Sequence, residues 1–175
     1  FWENNPLRNE RDIVLMDQRG TGASEANCSE MGNDIFAIMR QDLNNEGEIN
    51  APEGSVELHS ADKVMVTFNQ QTVAIESTQE TLDGLIENHG VIEAEGGYIV
   101  LNSNTHNTLQ QTVVNNTGII RATSLIEKNG EVVIMGNNGD IFNDGLVDVS
   151  ASESKADGGT IRLDAQRIAQ RGLLI

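Results

Sequence analysis

The chain has 175 residues and a formal charge of −16, from 27 acidic and 11 basic side chains. No basic stripe is available to neutralise phosphates, which argues against nucleic acid and against an anionic membrane surface as partners. Aromatic residues make up only 3% while glycine reaches 17 residues, a balance that suits a stacked aliphatic sheet core better than the aromatic-filled interior of an ordinary enzyme.

Taken in order, the sequence starts at Phe1, and its first residues do not read as a signal peptide, so none is expected within them. Arg11-Asp12-Ile13-Val14-Leu15-Met16 is a short apolar run, which predicts a strand buried on both faces. The glycines in Asp17-Gln18-Arg19-Gly20-Thr21-Gly22-Ala23-Ser24 then permit a tight turn. Met31, Ile35, Ile38, Met39 and Leu43 fall near helical spacing and predict a short amphipathic helix. The single Cys28 forms neither an internal disulfide nor a metal cluster.

The segment Arg11 to Ser24 resembles the strand and turn of α/β-hydrolases of the proline iminopeptidase and tripeptidyl-peptidase group, and the likeness extends more loosely to about residue 44. In that family the turn supports the site from behind and does not supply the nucleophile. The chemistry of the family needs a Gly-x-Ser-x-Gly elbow, which the sequence does not contain. Residues 1–44 therefore read as an incomplete hydrolase-like fragment, joined at about residue 45 to a region of different pattern.

From that point a motif repeats. Asn45-Glu46-Gly47, Asn88-His89-Gly90, Asn116-Thr117-Gly118 and Asn143-Asp144-Gly145 each precede an aliphatic residue two positions after the glycine: Ile49, Ile92, Ile120 and Val147. Ala51, Ala94, Ala122 and Val149 follow, and a second glycine (Gly54, Gly97, Gly130, Gly159) opens another alternating segment. The turn glycines are 43, 28 and 27 residues apart. The long first interval contains an additional alternating stretch with Val64, Val66 and Phe68, then Val73 and Ile75. Asn and Gly tolerate left-handed backbone, so Asn-x-Gly predicts sharp turns. Strand alternation puts Ile92, Ala94, Ile99 and Leu101 on an inward face. One such unit cannot cover its own apolar row, so neighbours must stack upon it. The fold class expected is all-β: a parallel β-helix over residues 45–175, preceded by a short strand–turn–helix fragment of α/β type over 1–44.

The run Gly-Leu-Ile-Glu-Asn-His-Gly-Val-Ile-Glu-Ala-Glu-Gly-Gly-Tyr-Ile-Val-Leu, with Asn-Asn-Thr-Gly-Ile-Ile-Arg-Ala and Ala-Asp-Gly-Gly-Thr-Ile-Arg-Leu, resembles filamentous-haemagglutinin-type exoproteins of bacterial two-partner secretion, over about residues 45–175. That resemblance implies a right-handed β-helix, an outer-membrane transporter as partner, and a secreted or cell-surface adhesin. The amino-terminal Asn-Pro-Asn motifs of a complete secretion domain are absent, so the chain resembles the later rungs. With its apolar ending Leu173-Leu174-Ile175, it reads as a piece of something longer.

Several residues invite a chemical role. Asn137-Asn138-Gly139-Asp140 and Asn143-Asp144-Gly145 are rich in oxygen ligands, yet they miss both the EF-hand and the Gly-Gly-x-Gly-x-Asp calcium spacing, and read as turns. His59, His89 and His106 share no ligand spacing and are assigned to solvent-facing turns. Glu93 and Glu95 should share one outer face, where paired carboxylates would suit a glycosidase, but nothing selects that over a solvated surface. Two acceptor-like triplets, Asn27-Cys28-Ser29 and Asn115-Asn116-Thr117, are assigned no role. No catalytic, cofactor-binding or metal residue is assigned, no run of about 18 apolar residues suggests a membrane-spanning helix, and no receptor can be named. The leading expectation is a non-catalytic, adhesive exoprotein segment. The alternatives are a hydrolase fragment lacking its catalytic residues and a polysaccharide-active β-helix.

Overall fold

A computed structural model describes residues 35–39, 43–61, 63–69, 72–79, 84–105, 112–126 and 128–175. Strands are numbered in chain order. A five-stranded sheet runs β15 (Leu173–Leu174), β13 (Leu146–Asp148), β11 (Ile119–Arg121), β8 (Val91–Glu93), β3 (Glu48–Asn50). The larger sheet follows β1 (Ile35–Met39), β4 (Ser55–Ser60), β9 (Tyr98–Asn104), β12 (Glu131–Asn143), β10 (Thr112–Asn116), β7 (Ile86–Asn88), β2 (Leu43–Asn45). Its eighth strand, β14 (Thr160–Gln170), pairs with β12. Every pairing in these two sheets is parallel. A third, two-stranded sheet is antiparallel and joins β5 (Lys63–Asn69) to β6 (Thr72–Gln79).

This architecture corrects the expected right-handed parallel β-helix with an α/β fragment before it. Among the described residues there are strands and no helix. Where helical spacing predicted a helix across 31–43, Ile35–Met39 is instead strand β1, paired with β4 in the register Ile35↔Val56 to Met39↔Ser60, and Leu43 opens β2. Long-range pairing overrides a local 3.6-residue pattern that a short apolar run carries only weakly. The extra alternating stretch in the first interval is not another parallel turn of the stack. Only residues 70 and 71 separate β5 from β6, too few for a parallel crossover, so the two strands close as a hairpin. Finally, β12 pairs with β9 through its first half and with β10 from Asp140 onward. The larger sheet therefore bends through one long strand into a nearly closed, barrel-like wrap instead of repeating identical coils. The hydrolase-like strand and turn at 11–24, Cys28 and His106 lie outside the described residues.

Residue register within the two sheets follows the aliphatic rows of the sequence. Ile49, Ile92, Ile120 and Val147 are consecutive partners, and Leu174 extends the row. A second row joins Leu43, Ile86, Val114, Ile141 and Ile168, and a third joins Val56, Ile99, Val132 and Ile161. Ile92, Ala94, Ile99 and Leu101 are all completely buried and belong to one continuous core. Each fully covered Ile, Leu or Val contributes roughly 1.5–3 kcal/mol relative to exposure, so the rows supply most of the cohesion between one unit and the next. That core fixes where the polar turns must stack.

Candidate functional site

The most extended polar feature is a file of side-chain amides running along the stack at the Asn-x-Gly turns. Asn45 Nδ2 donates to Asn88 Oδ1 at 2.8 Å, Asn88 Nδ2 to Asn116 Oδ1 at 2.8 Å, and Asn116 Nδ2 to Asn143 Oδ1 at 2.6 Å. Asn143 Nδ2 then donates to Gln170 Oε1 at 3.0 Å. Asn88, Asn116 and Asn143 are fully buried. Their main chains stack as well: the Asn88 carbonyl accepts from the N–H groups of Thr117 and Gly118, and the Asn116 carbonyl from those of Asp144 and Gly145. Inside a core of low dielectric these satisfied amides are strong register pins, and an orphaned one would be costly.

The glycines of the same motif have a different reason from the one expected. Left-handed backbone is found at Glu53, Asn138 and Gly96 among the described residues, and at none of the Asn-x-Gly positions. What excludes a side chain is contact between stacked backbones. A Cβ on Gly90 would lie 2.1 Å from the Gly47 carbonyl oxygen, one on Gly118 2.1 Å from Gly90 O, and one on Gly145 2.1 Å from Gly118 O. Gly172 repeats this against Gly145 O at 1.9 Å. Gln170-Arg171-Gly172 is thus a fifth copy of the motif with Gln in place of Asn, which a search for Asn-x-Gly passes over. Its 27-residue spacing from Gly145 was the signal that could have found it.

A second polar file lies on the outer face of the smaller sheet. Asn50, Glu93, Arg121 and Asp148 are lateral partners. Arg121 Nη1 bonds Glu93 Oε1, and its Nε lies 3.5 Å from Asp148 Oδ2. Burial would raise the Asp148 carboxyl, but hydrogen bonds from Ser150 and the charge of Arg121 outweigh it and hold the group below its usual value. Glu93 is therefore engaged by a cation, and Glu95 is exposed in the turn after β8. The geometry does not pair them as two opposed carboxylates.

His59 differs most from the expectation of a solvent-facing turn. It lies within β4, 1% exposed, with Nε2 3.0 Å from the buried Glu57 Oε2. Its Nδ1 is buried with no partner. His89 does sit in an exposed turn, with Nδ1 2.6 Å from Thr117 Oγ1. Asn137 to Asp140 form no turn: they lie inside β12 at a register shift between Gly136 and Asp140, and Asp140 is held by Arg167 at 2.8 Å. Asn143 belongs to the amide file, and Asp144 and Gly145 make the turn beside it. Among the described residues no three His, Cys, Asp or Glu side chains come together to hold a metal ion, and no helix is long and apolar enough to cross a membrane. The arrangement can bind neighbouring units of itself tightly, and its chemistry is directed along the stack. Compared with known protein families and with curated proteins, the sequence finds no match in either.

Proposed function

We propose that the chain is a non-catalytic, load-carrying and adhesive segment of a bacterial secreted or cell-surface exoprotein, of the haemagglutinin-like kind its repeats resemble, exported through an outer-membrane transporter. The observation that carries this reading is the amide file from Asn45 to Gln170, buried at Asn88, Asn116 and Asn143. Its members spend their hydrogen-bonding groups on one another, which suits a rigid support better than a reaction centre. The ion-paired Glu93 supports the same reading, because a carboxylate held by Arg121 is poorly placed as a free acid or base.

Beads coated with the chain, compared with albumin-coated beads, should bind host cells, and the same preparation should leave peptide and polysaccharide substrates intact. Binding no greater than albumin would remove the adhesive role. Turnover of either substrate class would overturn the non-catalytic one.

A further inference from the structure

We infer that Asn129 is a site of spontaneous covalent modification, at which the side-chain amide cyclises onto the following glycine and the turn before β12 is re-aimed. Asparagine is a thermolabile residue, and the sequence contains two Asn-Gly pairs, Asn129-Gly130 and Asn138-Gly139. A glycine has no side chain to shield its own nitrogen, so that nitrogen can approach the amide carbon of the asparagine before it. Gly130 N attacks Asn129 Cγ, the bond from Cγ to Nδ2 breaks, and the amide leaves as ammonia with the proton that Gly130 loses. Water then opens the five-membered imide at one of its two carbonyls. One opening leaves an aspartyl residue. The other leaves an isoaspartyl link, whose main chain is one methylene longer.

Local structure separates the two pairs. Asn129 is exposed, lies outside every strand, and makes no side-chain hydrogen bond among the described residues. It follows a surface turn closed by Leu125 N–H to Lys128 O at 2.8 Å and Lys128 N–H to Leu125 O at 3.3 Å, in which Ile126 is 58% exposed. The Gly130 N–H donates to the buried Ser124 Oγ at 2.9 Å, which fixes the nucleophile beside an untethered amide. A hydroxyl both accepts and donates, so Ser124 can turn to donate as the proton leaves. Asn138 is held where Asn129 is not. It lies inside β12 between paired residues Asn137 and Asp140, with φ at 63°, and its Nδ2 donates to Thr105 O at 3.1 Å. Intramolecular attack is fast only from a near-attack geometry, which Asn138 reaches only by breaking that bond and leaving its place in the strand.

Gly130 is where the surface turn joins the core. A Cβ there would collide with Ala122 O, and Gly130 O accepts the Thr160 N–H at 3.0 Å. An extra methylene immediately before this residue finds no room in a close-packed stack and displaces the turn. Either product also sets a new carboxylate beside Lys128, where it competes with Glu53, now 2.7 Å from the Lys128 ammonium. A surface turn thus changes shape and charge with age, while the amide file at the Asn-x-Gly turns is untouched.

Peptide mapping by mass spectrometry, on the 175-residue chain held at body temperature and mildly alkaline pH, tests this. Position 129 should convert to a mixture of aspartyl and isoaspartyl products on the order of tenfold faster than position 138. In denaturing urea, where the structural difference is lost, the two rates should converge. The isoaspartyl fraction, separated by chromatography, should unfold at a lower urea midpoint than the unmodified chain. Asn129→Asp, which adds the charge without the methylene, should keep the parent midpoint. Equal rates in the folded chain, faster conversion at Asn138, or a rate ratio unaltered by urea would each overturn the proposal. So would an isoaspartyl fraction as stable as the parent, or an Asn129→Asp variant as unstable as that fraction. None of these readouts depends on adhesion, so this inference and the proposed function can fail separately.

Discussion

Gly118→Ala is the sharpest probe of how the units of this protein are held together. The added Cβ would meet Gly90 O at 2.1 Å, the His89 carbonyl carbon at 2.8 Å and Gly90 N at 2.9 Å. All three are backbone atoms, so no rotamer change relieves the clash. Ordinary contact needs roughly 3.5 Å, which requires the two turns to separate by more than an ångström. Overpacking of this kind costs about 1–3 kcal/mol. Separation also stretches the 2.9 Å bond from Ile119 N–H to Gly90 O and the two from Thr117 and Gly118 to Asn88 O, each worth about 1 kcal/mol. The sum, about 4–6 kcal/mol if all three bonds are lost, is a large part of a typical domain's stability of ~5–15 kcal/mol. In urea, with a slope near ~2 kcal/mol/M, the midpoint should fall by roughly 2–3 M. Gly158→Ala is the control, since its nearest neighbour would be Val149 O at 3.9 Å. It should shift stability by no more than about 1 kcal/mol, in the stabilising direction if at all. Equal midpoints for the two variants would refute backbone stacking as the reason for the glycine.

Asn116→Leu should lose roughly 2–5 kcal/mol in the same assay, because it orphans the Asn88 donor and the Asn143 acceptor in the buried file. Gln170→Leu, at the exposed end, should lose under about 1 kcal/mol, and a comparable loss would mean that burial is irrelevant to the file. Ile92→Asp should destabilise by ~3–5 kcal/mol by burying an unpaired charge, and a negligible change would place Ile92 outside the core. Tyr98 is the sole tyrosine, and burial together with the charges of Glu57 and Glu131 raises its pKa. Absorbance titration should therefore find its midpoint above the unfolded value of about 10. A raised folded pKa means that its contribution to stability is full below the unfolded value and fades as pH climbs through the folded one. Asp148 runs the other way: its lowered pKa gives stability above the unfolded value of about 3.9 that disappears as pH falls through the folded one. Asp148→Asn should flatten that acid limb, and an unchanged acid profile would contradict the assignment.

Much of the register was legible in the sequence because aliphatic alternation is repeated. Ile92, Ile120 and Val147 could be aligned from their distance to a glycine, without knowledge of the path between units. The path was not legible. Nothing local distinguishes a parallel return from a hairpin except the two residues between β5 and β6, and Ile35–Met39 satisfies helical spacing and strand pairing equally well. The polar network was hidden for a related reason. Asn and Gly occur in any turn, so their turn propensity supplied an adequate local explanation. Their burial and lateral bonding are properties of several units at once. His59 shows the same blindness at a single residue, since only the assembled strand puts it beside Glu57 and out of solvent.

The two residues of the motif therefore face constraints of different strictness, and the fifth copy shows which is which. At the amide position a longer side chain is accepted, since Gln170 reaches Asn143 at 3.0 Å. At the glycine position nothing larger is accepted, because the obstacle is the carbonyl of the neighbouring unit, 1.9 to 2.1 Å from any Cβ along the file. Such a limit is set by the separation of adjacent main chains, about 4.8 Å in any sheet, and not by the conformation of the turn itself. Intervals of 43, 28 and 27 residues can then coexist in one stack. Insertions between the rows, including the whole β5–β6 hairpin, leave the spacing of stacked backbones unaltered. The surface segments are in this way free to vary while the amide and glycine files hold the units in register. The proposed role, a support that presents changeable loops, requires that separation of roles.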